Sequence, residues 1–257
     1  AFAAPRRRAL PVARAIARRN FWGRSVLLKL FFLPLALPAI VAILGIIGVA
    51  SGVVSIYGLH GIIFAHVFFN MPLAVRLMFT RLEAIPAENF RLAAQLNFGI
   101  WQVFRFIEWP QLASALTGIA SLIFLLCTAS FAVVLILGGG PQATTLEVAI
   151  YQSLRLDFDP ARASILALAQ LVTCGLLVLV AGQFAREIQV VPPTLARIRR
   201  WDGQSGLSKT IDGLAIALAV VIVVPPILSV AVSGIGNIRP DGSLLWATAT
   251  SLLIGLA

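Results

Sequence analysis

The sequence predicts an all-α fold, a polytopic bundle of transmembrane helices, and three observations carry that expectation. Of its 257 residues 60% are hydrophobic and 12% charged, a balance foreign to a soluble globular domain. The apolar residues are gathered into runs of about twenty or more, enough to cross ~30 Å of hydrocarbon at ~1.5 Å per residue. The basic residues then sort by loop. Of 20 Lys and Arg, eight lie in residues 1–29, four in 76–110 and five in 185–210, which leaves Arg155, Arg162 and Arg239 for the alternate loops. Cytoplasmic loops carry such an excess, so the formal charge of +10 reads as membrane orientation and not as nucleic-acid binding.

Residues 1–24 hold seven arginines and no acid and are expected to form a basic cytoplasmic segment held against anionic lipid. Within it ALPVARAIARR reads as the cytoplasmic end of a helix whose membrane part is missing. The chain begins without Met and ends inside an apolar run, so it is expected to be incomplete at both ends. A first bundle is expected over 25–184, with spans at about 26–53, 59–78, 112–137 and 161–184. Pro34 and Pro38 should kink the first span, and Lys29 can snorkel at its inner end. In the second, His66 and Asn70 are four apart and share a face just above Pro72. Polar groups at that depth belong against the bundle or a wet path. His60 and His66 lie about 120° apart round the helix, a poor metal pair.

The third span carries a stripe of small residues, Ser114, Ala115, Gly118 and Ser121, which predicts close helix packing, with Thr128 and Ser130 as polar points. It ends in Gly138–Pro141, a hinge and not a phosphate loop, since no Lys-Ser/Thr follows. Thr144-x-x-Glu147 reads as a capping box opening a short helix through Leu154 at the outer mouth. Asp159 before Pro160 reads as an N-cap and not as half of a carboxylate pair with Asp157. The fourth span holds Gln170 and Thr173. A basic, Pro-containing cytoplasmic linker is expected over 185–210. Residues 211–257 should start a second bundle, with a fifth span over 211–232 kinked at Pro225-Pro226 and a sixth from Leu244. Cys127 and Cys174 sit in apolar runs and read as core.

The longest patterned polar interval is Glu83–Pro110, EAIPAENFRLAAQLNFGIWQVFRFIEWP. Pro86 suits a helix start, and Phe90, Ala93, Ala94 and Asn97 recur at spacings of three and four. After Asn97-Phe98-Gly99 a second short helix should carry Trp101, Phe104, Arg105 and Glu108 and stop at Pro110. This helix–turn–helix resembles the cytoplasmic loop of permease subunits in binding-protein-dependent ABC importers. Their motif runs Glu-Ala-Ala, three residues, Gly, then nine residues to an apolar position ahead of Leu-Pro. Here Arg91, Leu92 and Ala93 occupy the Glu-Ala-Ala positions, Asn97 the glycine, Ile107 the apolar position and Trp109-Pro110 the Leu-Pro. Only Ala93, Ile107 and Pro110 match strictly. The strings AHVFFNMPLAVRL, RLAAQL, FRFIEWPQL, GGGPQATTLEVAIYQSL and DPARA are more specific and resemble the permeases for thiamine and thiamine pyrophosphate, roughly from Arg19 to Val232.

No Ser/His/acid or Cys/His grouping, zinc spacing or Walker loop is present in the sequence, so enzyme chemistry is not expected of this chain. The resemblance implies a multi-pass inner-membrane subunit that binds no cofactor of its own. A cytoplasmic ATP-binding subunit would use ATP, and a periplasmic binding protein would deliver solute. The 83–110 helices would dock on that ATPase, with Ala93 closest to the partner, Arg91 and Glu88 at the rim, and Pro86 and Pro110 fixing the ends. Permeases for ferric iron, sulfate and polyamine share the fold and the loop. His66, Asn70, Thr128, Gln170 and Thr173 are the candidate path residues. None of the ten acids falls near the middle of a span, which argues against an ion-coupled secondary transporter and leaves selectivity to the binding protein. A membrane scaffold without transport is the more distant alternative.

Overall fold

The computed structural model describes residues 3–51, 55–138, 143–184 and 206–236, with isolated helical positions at 246, 249–251, 253 and 254. These residues form helices and turns, with no strand among them. In order the helices are α1 (Ala3–Arg18), α2 (Arg24–Leu30), α3 (Leu33–Ala36), α4 (Ala39–Ala50), α5 (Leu59–Glu83), α6 (Ala87–Gln95) and α7 (Ile100–Val103). A π-helical turn (Phe104–Glu108) leads into α8 (Trp109–Thr128), followed by α9 (Phe131–Leu137), α10 (Leu146–Arg155), α11 (Pro160–Phe184) and α12 (Gly206–Gly236). Among the described residues four stretches are long and apolar enough to cross a membrane: Leu59–Glu83, Ile100–Thr128, Pro160–Leu179 and Ser208–Gly236. The chain is a polytopic helical membrane protein.

The axle of the bundle is α5. Its apolar residues fall on every side, the pattern of a helix enclosed by others. Val67, Met71, Ala74, Val75 and Met78 enter one core with Val12 and Ile16 of α1, Leu112 and Ile123 of α8 and Ile222 and Val223 of α12. Phe68 enters a second with Ile43 and Ile46 of α4, Val134 and Leu137 of α9 and Val148 of α10. By contrast α11 shows Ile165, Leu168, Leu171, Leu176 and Leu179 on its surface, side chains that a bilayer solvates and water does not.

Several expectations change. The first span, expected as one kinked helix over 26–53, is broken: the axes of Arg24–Ala36 and Ala39–Ala50 meet at 110°. Both prolines start helices. Pro34 lies in the first turn of α3, and Pro38 caps α4. Leu37, held in the extended region by the proline after it, has ψ 135°, and Pro38 itself has ψ 135°. Two successive extended residues turn the chain instead of bending a helix. Alone, the 12 residues of α4 span only ~18 Å.

The basic N-terminal segment is also more than a lipid-facing tail. From Ala9 onward α1 buries Ala9, Val12, Ala13 and Ile16, and four arginines of the segment turn to carboxylates, three in or just after α1 and Arg24 at the start of α2. Arg14 pairs with Glu108, Arg18 and Arg19 with Asp212, and Arg24 with Glu83. The expected linker over 185–210 lies outside the described residues up to position 205, and α12 begins at Gly206, five residues before the expected span. The Gly139–Pro141 part of the expected hinge and most of the expected sixth span also lie outside them.

Close packing occurs largely elsewhere than predicted. The small-residue stripe of the third span supplies it only in part: Ala115 packs half-buried against the core and Ser121 is half-buried, but Ser114 and Gly118 are exposed, and a Cβ added at Gly118 would meet nothing within 4 Å. The close seam runs between α4 and α12. A Cβ on Gly45 would run into the Pro226 carbonyl, and one on Gly48 into the Ser229 hydroxyl. Pro225 and Pro226 sit inside α12, and the glycines of α4 let the second of them approach. Gly45→Ala should therefore destabilise the detergent-solubilised protein by about 1–3 kcal/mol through overpacking. Gly118→Ala should be neutral or stabilising, since alanine is favoured over glycine by about 1 kcal/mol in a helix interior. Thermal unfolding of the two variants decides it, and equal melting shifts would remove the seam from α4.

Candidate coupling elbow and polar groups of the path

The Glu83–Pro110 interval folds as an elbow. Pro86 is the N-cap of α6, with ψ 141°, a position where its missing N–H leaves no bond unmade. Glu88 lies in the first turn of α6, where a carboxylate favours the helix dipole. The helix ends in a Schellman turn: Phe98 N–H donates to Ala93 C=O at 2.9 Å and Asn97 N–H to Ala94 C=O at 3.1 Å. That turn requires a left-handed residue, and Asn97 supplies it with φ 54°. Asparagine is one of the few residues besides glycine that enter this region readily, which explains how it stands at the motif's glycine. Gly99 N–H then donates to Gln102 Oε1 at 2.7 Å, capping α7.

The second half of the elbow does not stop at Pro110. The π turn Phe104–Glu108 carries α7 directly into α8, and Ile100–Thr128 is one span of 29 residues. Pro110 falls in the first turn of α8. In an α-helix its ring would crowd the carbonyl four residues back; the wider π turn places that carbonyl differently and lets the helix continue. Inside the turn Glu108 is fully buried, with Arg14 of α1 bonded to its carboxylate. Arg14 also donates to Ile100 C=O at 3.3 Å and stands 5.0 Å from the Phe104 ring centroid. Trp101–Phe104 and Phe104–Trp109 ring contacts at 5.5 and 5.9 Å continue the cluster. One arginine thus ties α1 to both ends of the π turn.

The faces of α6 differ from the expected ones. Ala93, expected closest to a partner, is 2% exposed and packs into the α5 core with Phe90, Val103 and Ile85. The register is correct but the face is turned inward, because Phe90 is the largest apolar group on α6 and takes Ala93 with it. Ala94 and Asn97 part from that face and are exposed, as are Glu88, Arg91 and Gln95. The outward apolar groups are Leu92 at 55%, Leu96 at 66% and Trp101 at 70% exposure. Leu96 was missed because the spacing was read from Phe90. Ile107 is half-buried against the core, and Pro86 and Pro110 are exposed.

The path candidates divide into two groups. His66 and Asn70 are buried on α5. Asn70 Nδ2 donates to His66 C=O at 3.0 Å and approaches Cys127 Sγ at 3.5 Å, while Ser130 Oγ lies 3.4 Å from His66 Nε2. Ser130 sits where α8 breaks into α9, and its hydroxyl donates to Cys127 C=O at 2.6 Å. The third span, expected unbroken over 112–137, is therefore interrupted at Ala129-Ser130, where side-chain hydroxyls compete for backbone carbonyls. Thr128 spends its hydroxyl on Phe124 C=O.

The second group lies on α10 and α11. Gln170 Nε2 donates to Glu147 Oε1 at 3.2 Å, whereas Thr173 is exposed and bonds back to Ala169 C=O. The capping box over 144–147 does not form. Thr145, not Thr144, is the N-cap of α10 and makes no side-chain cap bond, and Glu147 reaches across to α11 instead. This also corrects the expectation that no acid lies at mid-depth. Gln170 is the eleventh residue of the Pro160–Leu179 span, so the Glu147 carboxylate stands beside its middle. Asp159 caps α11 as expected, its Oδ1 accepting from Arg162 N–H at 3.0 Å.

The Schellman turn yields a direct test. Asn97→Gly should keep the elbow, whereas Asn97→Val, a β-branched residue forced to φ > 0, should cost about 1–2 kcal/mol. Amide exchange at Phe98 should then be on the order of tenfold faster in the valine variant; equal protection in all three proteins would contradict the left-handed requirement.

No protein-family model matches the chain. The thiamine transport system permease protein ThiP of Salmonella typhimurium is 45% identical, over 96% of this chain and 49% of its own length. That of Escherichia coli is 45% identical over 97% of this chain and 50% of its own length. The Haemophilus influenzae protein of the same name is 44% identical over 70% of this chain and 36% of its own length. The chain spans about half the length of the curated relatives it matches. With a bundle of membrane helices, an elbow at the importer motif and this identity over nearly all of its residues, the chain is a homologue of the thiamine transport system permease proteins.

Proposed function

We propose that this chain is part of the transmembrane permease subunit of an ATP-driven, binding-protein-dependent importer in the bacterial inner membrane. Its solute would be thiamine, its phosphates, or both. The observation that carries the reading is the elbow itself. It is seated on the bundle through Phe90, Ala93 and Val103 but leaves Leu92, Leu96 and Trp101 exposed, and it is continuous with a span of 29 residues. Such a helix, about 43 Å long, carries a displacement of its outer part to the Ser130–His66 contact at the far end of α8. The relatives' name as thiamine transport permeases supports the solute, and the distribution of basic residues supports a cytoplasmic elbow.

In this mechanism a cytoplasmic ATPase, which alone uses ATP, grips the elbow, and its closure and opening swing Ile100–Thr128 between outward and inward arrangements. A periplasmic binding protein loads solute at the opposite end. Its docking surface would be the outer loops. With Glu147 at mid-depth, the scarcity of intramembrane acids no longer separates this reading from an ion-coupled transporter. The exposed apolar elbow does, because a transporter working alone has no use for it.

The test is Leu92→Asp in the full-length protein, at matched membrane expression. A carboxylate on the docking face must be desolvated when the ATPase binds, a penalty of several kcal/mol if it stays charged and unpaired. ATPase co-purification and ATP-dependent thiamine uptake should both fall at least tenfold, while Glu88→Gln changes them little. Ala93→Asp should fail earlier, at folding, because that position is in the core. Undiminished ATPase recovery with Leu92→Asp would place the coupling face elsewhere.

A further inference from the structure

Three buried side-chain oxygens on α10 and α11 have no hydrogen-bond partner among the described residues: Thr145 Oγ1, Glu147 Oε2 and Gln170 Oε1. They belong to one neighbourhood. Thr145 caps the helix on which Glu147 is the second residue, and Gln170 already donates to the other oxygen of the Glu147 carboxylate. Buried polar atoms are almost always partnered, and those left over mark a group still to be bound. All three can accept hydrogen bonds, and one carries a full negative charge when ionised.

The charge is not neutralised by the two helices that hold it. Arg155 lies eight residues beyond Glu147 on α10, and Arg162 eight residues before Gln170 on α11, each about 12 Å along its helix. Arg162 stands by Asp157, at 3.7 Å. A water molecule could donate two hydrogens here but would leave the carboxylate's charge uncompensated in a medium of low dielectric. A cation with N–H donors satisfies both demands.

We propose that Glu147 and Gln170, joined across α10 and α11 and flanked by Thr145, form a mid-membrane subsite for the cationic, N–H-bearing part of the transported solute. The proposal rests on the transport reading above and deepens it. Thiamine carries a thiazolium charge and an aminopyrimidine N–H₂ group, and the two kinds of acceptor here, a carboxylate and neutral oxygens, match that pair. The subsite also lies about 15 Å from either end of the Pro160–Leu179 span, where a carrier that alternates its openings must hold its cargo.

The experiment uses the full-length permease assembled with its ATPase and binding protein in proteoliposomes, with thiamine as the probe. Glu147→Gln should lower the initial rate of ATP-driven uptake at least tenfold while ATPase association persists. Glu147→Asp should recover most of the rate, which a loss of packing alone would not allow. If Glu147→Gln does not reach the membrane, Gln170→Met decides instead, with a loss of at least threefold expected. Uptake within twofold of wild type in whichever variant is folded would overturn the proposal. So would a melting temperature raised by sodium relative to choline chloride in the wild type and not in the variant, which would assign the oxygens to an inorganic cation. Absence of thiamine uptake by a wild-type assembly that holds its ATPase would contradict the transport reading itself, and this subsite with it.

Discussion

The ion pair between Arg14 and Glu108 is the constraint from which the rest of the bundle follows. Glu108 is fully buried, and a carboxylate in that position is strongly destabilising unless a cation is held against it. Removing one partner of such a pair typically costs ~3–5 kcal/mol, although the pair as a whole contributes little net stability. Its value is positional. Arg14 can reach Glu108 only if α1 lies along α5, and Glu108 points at α1 only because the π turn advances α8 relative to α7. The same rule repeats nearby. Arg18 and Arg19 converge on Asp212, and Arg24 reaches Glu83, so charge fixes α12 against α1 and the end of α5 against α2, while Val12, Ile16, Met71 and Ile222 close the space between α1, α5 and α12.

Seen this way, the arginine-rich opening of the chain has two readings that the sequence could not separate. Counting basic residues locates a side of the membrane, because translocation depends on the charge of loops and not on their partners. Whether an arginine faces lipid or a carboxylate 94 positions away, as Arg14 does, is a tertiary fact. The three acids that answer these arginines, Glu83, Glu108 and Asp212, are far apart in sequence, and periodicity within one helix carries no trace of them.

The helical class, the spans and the elbow were legible because hydrophobic length and the 3.6-residue repeat are local properties. Asn97 reads onto one face with Phe90 and Ala93, yet it lies beyond α6 with φ 54°; the asparagine at the motif's glycine was the signal for that left-handed turn. Prolines were misleading in a systematic way. Pro34, Pro38 and Pro110 each sit in the first turn or cap of a helix, where proline is favoured, but the apolar run around Pro34 and Pro38 reads as one kinked span, and Pro110 reads as a stop in a helix that runs through it. The inward face of α6 was lost for a different reason: spacing assigns residues to a common face and says nothing of which neighbour covers it. Glu147 was lost because its capping pattern is a local alternative to a contact 23 residues away in α11, and only the packing of α10 on α11 decides between them.

Coupling across the membrane then reduces to whether the elbow and α8 move as one body. Spin labels at Gln95 and Leu126, both exposed, measure this in the assembled transporter through the ATP cycle, with a third label at Leu168 on α11 as the reference. The distance from Gln95 to Leu126 should stay within about 2 Å in the nucleotide-free and ATP-bound states, while the distance from Gln95 to Leu168 changes. A change between Gln95 and Leu126 of a helical turn, about 5 Å, with the reference distance constant, would show that the elbow flexes at the π turn and that Arg14 and Glu108 do not hold it to α8.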